Sequence, residues 1–109
     1  MSMFARARRF TIQTRVLYRR PSEPRWDEGT TLNVSRSGIL FSTKAPLPPG
    51  TPVEMVLWLS SDVLDMETSA DVVCLGQVVR VEHKTTDAAL AATIASYRFT
   101  SGRAPLTEM

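Results

Sequence analysis

A chain of 109 residues, 43% hydrophobic and with a formal net charge of +2, has room for one domain with a core of its own and not for two. Its single cysteine, Cys74, excludes an intramolecular disulfide framework, and no apolar run approaches the roughly 20 residues of a membrane helix. The N-terminus carries no apolar secretory core, so a cytoplasmic protein with no membrane segment is the expectation.

The chain opens on "MSMFARARR", and Arg6, Arg8 and Arg9 are followed by Arg15, Arg19 and Arg20 with no acid among the first 20 residues. All are arginine, whose planar fork suits bidentate phosphate or carboxylate recognition better than the point charge of lysine. Either an anionic partner binds here or the segment is a solvated leader. From Phe10, "FTIQTRVLYRR" places Phe10, Ile12, Val16 and Tyr18 on one side, interrupted by Thr14, which predicts a first strand. "PSEPRWDEG" is a proline-bearing loop. A second strand starts near Trp26 or Thr30 and ends at Val34, and a third covers residues 39–43. "KAPLPPGTP" holds four prolines and Gly50, so it is a surface connection outside any sheet interior.

"VEMVLWLS" predicts a fourth strand, with Val53, Met55, Leu57 and Leu59 inward and a partly apolar outer face of Glu54, Val56, Trp58 and Ser60. "SDVLDMETS" reads as a loop. Its acids Asp62, Asp65 and Glu67, with Asp71 beyond, lack the spacing of a calcium loop and are expected to be solvated. "ADVVCLGQVVRVEH" is a long β-branched strand whose Gly76 predicts a bulge or bend. "LAATIASYRFT" is rich in alanine, yet its alternation, β-branched pair and two aromatics favour a sixth strand over a helix. "SGRAPLTEM" is too short and proline-interrupted for a stable helix. Six strands at short spacing predict an all-β fold, and closing the sheet into a barrel removes the edges that no helix is available to cover.

Between the second and third strands lies "NVSRSG". Asn33 and Ser35, two apart at a strand end, share a face, and Gly38 marks either a reversal with positive φ or a close approach of a ligand to the backbone. The six residues make either a site of amide, hydroxyl and main-chain N–H groups or a hairpin turn and nothing more. His83, at a strand end, is expected on the surface, and Cys74, in an apolar strand, in the core. With no acid paired to either in sequence, no nucleophile–base constellation is visible and no enzyme is predicted. Trp26 and Trp58 are either outward anchors for a protein partner or core filling.

An Arg-rich lead-in, a strand, a proline-bearing loop, "NVSRSG", and then "GTPVEMVLWL", "GQVVRVE" and "SYRF" in that order resemble a PilZ domain over about residues 6–100. The resemblance implies a six-stranded antiparallel β-barrel with little or no helix, with an Arg-rich arm at 1–9, the barrel at 10–100 and a tail at 101–109. It implies a receptor for the bacterial second messenger cyclic di-GMP, with no other cofactor, an unknown protein partner and no DNA. The family carries an N-terminal RxxxR and a later [D/N]xSxxG. The second signature is complete here in Asn33, Ser35 and Gly38. In the first, Arg9 matches the second arginine while Ala5 stands at the other position, so Arg6 or Arg8 would serve in its place. The alternative is a degenerate PilZ-like interaction module that does not bind cyclic di-GMP, with Ala5 as the visible lesion. A basic arm on a small barrel also suits single-stranded nucleic acid, but an aromatic content of 7% without an aromatic ladder argues against it.

Overall fold

Alternation of inward apolar and outward polar residues produces six strands: β1 (Arg15–Arg19), β2 (Asp27–Val34), β3 (Gly38–Thr43), β4 (Pro52–Leu59), β5 (Ala70–His83) and β6 (Ala88–Thr100). They are seen in a computed structural model that describes residues 11–60 and 70–100. Every pairing is antiparallel, and the strands close into a barrel in the order β1-β2-β3-β6-β5-β4. Among the described residues there is no helix. Closure leaves every strand with a neighbour on each side, so the backbone polar groups of a small sheet are satisfied without covering helices.

The barrel interior is filled from all six strands. Tyr18 and Phe41 stack obliquely at its centre, ring centroids 4.9 Å apart, among Val16, Met55, Leu57, Val72, Val78 and Leu90, all at most 2% exposed. Cys74 belongs to this core, where desolvation pushes its thiol pKa up to about 12. The Tyr18 hydroxyl remains hydrogen-bonded, donating to the Ala45 carbonyl at 2.6 Å and lying 2.5 Å from the Thr43 hydroxyl. Burial raises the phenol pKa first of all, the Thr43 bond opposes that, and Asp27 adds to it.

Several sequence expectations are corrected in detail. The first strand begins at Arg15, not at Phe10. Residues 11–14 run beside β2 held by Thr31: its N–H donates to the Thr14 carbonyl (2.8 Å), its hydroxyl donates to the Ile12 carbonyl, and its hydroxyl oxygen accepts the Thr14 N–H (2.9 Å). A buried side chain thus takes the place of a regular ladder. The proline-rich connection is not wholly superficial, because Leu47 inserts into the core. Asp71, expected to be solvated, is buried at 5% exposure on β5 opposite Trp58; Asp62, Asp65 and Glu67 lie outside the described residues, as does the tail at 101–109. Neither tryptophan fills the core. Trp26 packs on Val56 and Val73 on the outside of the barrel, with the Arg19 guanidinium 4.0 Å from its ring centre, and Trp58 is half exposed. His83 is exposed, as expected.

The bend predicted at Gly76 is present. A Cβ on Gly76 would lie 1.7 Å from the Thr93 carbonyl oxygen, so only glycine lets β5 and β6 pair this closely. The β5–β6 register shifts twice, between Leu75 and Gly76 with Ala95 of β6 as the extra residue and between Val78 and Arg80 with Val79 of β5 as the extra residue. These shifts allow two strands of 14 and 13 residues to wrap round a narrow barrel.

Candidate functional site

The turn "NVSRSG" joins β2 to β3, and its geometry begins one residue earlier, at Leu32. Thr31 pairs with Phe41 but Asn33 pairs with Leu40, so Leu32 is an inserted bulge residue. Gly29 and Thr31 point inward, and an unbroken strand would send Asn33 inward after them. The bulge reverses the phase: Val34 enters the core at 1% exposure and Asn33 turns to the outer surface. Its side-chain amide has no hydrogen-bond partner among the described residues.

Ser35 does not share the outer face with Asn33. The strand ends at Val34, and Ser35 is buried with its hydroxyl folded into the turn. The Ser35 oxygen accepts the N–H groups of Ser37 (3.3 Å) and Gly38 (3.2 Å), and its O–H donates to the Gly38 carbonyl (3.3 Å), which also accepts the Ser35 N–H at 2.8 Å. The hydroxyl therefore shapes the loop. The next tie is to β6, where the Ile94 N–H donates to the Ser37 carbonyl at 2.9 Å. Gly38 has no positive φ. The close approach at this position is to the neighbouring strand: a Cβ would meet the Ala92 carbonyl of β6 at 3.2 Å.

These residues border a surface cleft of ≈ 260 Å³ whose walls include Asn33, Ser35, Ser37 and Gly38 on the turn side and Val79, Arg80 and Thr93 on the far side. Its floor follows from register. Asn33 pairs with Leu40, Leu40 with Ala91 and Ala91 with Arg80, so one row of four residues crosses β2, β3, β6 and β5. The adjoining row runs Gly38, Thr93, Gln77, where the Thr93 hydroxyl oxygen accepts the Gln77 N–H and its O–H donates to the Gln77 carbonyl. Leu40 and Ala91 lie in the middle of the first row and Thr93 in the middle of the second, with Gly38 at its end. Leu40 and Ala91 give the cleft an apolar strip bordered by polar groups, a form suited to a planar heteroaromatic ring.

Of the sequence-predicted site residues, the structure brings Asn33, Ser35 and Gly38 together around this cleft; Arg6, Arg8 and Arg9 lie outside the described residues. Arg80 and Thr93 went unremarked in the sequence. Arg80 carried one faint signal, a lone cation amid the β-branched "QVVRVE", and its orientation depends on a register shift that no local pattern reveals.

The family model for the PilZ domain matches residues 4–104. Among solved structures, the chain is similar to that of the Bacillus subtilis inhibitor of motility (MotI/DgrA), with a TM-score of 0.67 and 11% sequence identity. The likeness covers 88% of this chain and 44% of that one, so the chain spans less than half the length of that protein. No curated protein matches the sequence.

Proposed function

The chain belongs to the PilZ domain family, and from that premise we propose that it is a cyclic di-GMP receptor of the adaptor type. The observation that carries the reading is the cleft beside the β2–β3 turn, with the amide of Asn33, unpartnered among the described residues, at one end and Leu40 and Ala91 in its floor. Asn33 hydrogen-bonds a guanine edge, Gly38 admits the ring close to the backbone, and Ser35 holds the turn that presents them. The arginines of the leader supply phosphate contacts. The Ile12 carbonyl is tied to the hydroxyl of Thr31, two positions before Asn33 on the same strand, and Arg9 is three residues before Ile12, within about 11 Å of it by chain length alone. Arg9, with Arg6 or Arg8, can therefore meet a ligand seated at Asn33. Charge-assisted bonds from two guanidinium groups offset the entropy of ordering the arm, and the ordered arm changes the surface offered to a protein partner. The reading calls for no metal or other cofactor, no DNA and no membrane, and for a cytoplasmic location where the messenger is found.

A second reading, a PilZ-type interaction module that has lost the ligand, is favoured by one feature of the sequence, Ala5 in place of the first signature arginine. Calorimetric titration with cyclic di-GMP, with GTP as control, separates the two. Selective binding at micromolar affinity or better, lost in Asn33→Ala and in Arg9→Ala, is the expected result. A wild-type protein that gives no heat and does not compete for labelled ligand would leave only the interaction module.

A further inference from the structure

Resting on the cyclic di-GMP reading, we infer that Arg80 is the guanine-selecting residue of this site. It is a guanidinium built into the barrel wall, and it reads the guanine edge opposite Asn33.

The argument is one of phase and register. Val78 is fully buried on β5, and an unbroken strand would bury residue 80 as well. The register shift between Val78 and Arg80 inserts Val79 as an extra residue, so that Val81 packs against the core and Arg80 faces outward. The same device operates on β2, where the bulge at Leu32 turns Asn33 outward. The two shifts bring Asn33 and Arg80 to opposite ends of one row, with Leu40 and Ala91 between them. Three strand spacings separate the ends by about 14 Å between backbones. That distance is taken up by a purine lying on Leu40 and Ala91 with one hydrogen-bonding side chain standing at each end.

The chemistry at the two ends is complementary to guanine. Arginine donates two parallel N–H bonds to the O6 and N7 acceptors of guanine, and adenine presents an N6 donor at the first of those places. Asn33 offers both a donor and an acceptor to the opposite edge. Arg80 is exposed and makes no ion pair among the described residues, whereas Arg15, Arg19 and Arg20 are held by Glu28, Glu54 and Glu23. Its fork is thus free to engage a ligand. Because Arg80 is fixed by the sheet and not by the leader, base selection persists without the arginine missing at Ala5.

The test is calorimetric titration of the wild-type chain, Arg80→Met, Arg80→Lys and Asn33→Ala with cyclic di-GMP and, in competition, cyclic di-AMP. Arg80→Met should weaken cyclic di-GMP roughly 5- to 150-fold while changing cyclic di-AMP much less, and its melting temperature should stay at the wild-type value because the side chain is exposed. Arg80→Lys keeps the charge but not the fork, and should remain as weak as Arg80→Met. If Arg80→Met binds cyclic di-GMP at full strength while Asn33→Ala does not, the inference on Arg80 falls and the receptor reading stands. Restoration by lysine, or equal weakening of both dinucleotides, would assign Arg80 to a phosphate and overturn the guanine-reading role. A wild-type chain that binds neither dinucleotide removes both the receptor reading and the inference.

Discussion

Replacing Ser35 with alanine separates two ways in which a signature serine can matter. The structure gives its hydroxyl three contacts within the turn: two accepted N–H bonds, from Ser37 and Gly38, and one donated bond to the Gly38 carbonyl. The carbonyl keeps the Ser35 N–H at 2.8 Å after the substitution, so only the two N–H groups lose their acceptor. At 3.2 and 3.3 Å these bonds are long, and Ser37 is exposed enough for water to replace one partner. The net loss is then about 1 to 2 kcal/mol, equivalent to a fall in melting temperature of about 4 to 16 °C for a domain of this size. Urea unfolding of the wild type and Ser35→Ala, followed by tryptophan fluorescence, measures the difference, and titration with cyclic di-GMP follows on the same samples. A turn-shaping serine predicts that stability and affinity fall together. Unchanged unfolding with abolished binding would refute this account and place the hydroxyl directly on the ligand.

Three further outcomes follow from the packing. Gly76→Ala sets a Cβ 1.7 Å from the Thr93 carbonyl, and because that atom is backbone, β5 and β6 must separate; a loss of about 3 kcal/mol or more in urea unfolding is expected, and a loss below 1 kcal/mol would show that the bulge relaxes freely. Tyr18→Phe removes the hydroxyl that ties the Ala45 carbonyl to the core, and should cost about 1 to 3 kcal/mol, with faster amide exchange at residues 45–51 as the local readout. The Cys74 thiol, with its folded pKa raised to about 12 by burial, should react with a thiol reagent at pH 8 only as fast as the protein unfolds. Since the unfolded thiol ionises at lower pH than the folded one, Cys74 contributes stability that is complete below pH 9 and is lost as pH rises towards 12; Cys74→Ala should flatten that alkaline decline, and an equally steep decline would assign it elsewhere.

The strands were legible because their signal is local. Val53, Met55, Leu57 and Leu59 alternate with Glu54, Val56 and Trp58 on the outer face, and the period of two appears within eight residues. Gly76 announced its bend for the same reason, since a glycine in a β-branched run has few other uses. The order β3-β6-β5 was not legible, because the neighbours of a strand are chosen by closure of the whole barrel. Nor was the division of labour in "NVSRSG". Sequence spacing placed Asn33 and Ser35 on one face, whereas the strand ends between them and sends the amide to the cleft and the hydroxyl into the turn.

By itself, then, the sequence determined an all-β chain, its inward residues and the turn on which a site could be built, all consequences of side-chain alternation and turn chemistry within a few neighbouring residues. Tertiary structure decided which polar groups face the cleft. A bulge of one residue exchanges the two faces of a strand, and whether it lies at Leu32 or at Val79 is settled by the register of the paired strand, far away in the chain. Asn33 and Arg80, 47 positions apart (80 − 33), thus come to share a row only when the barrel has closed.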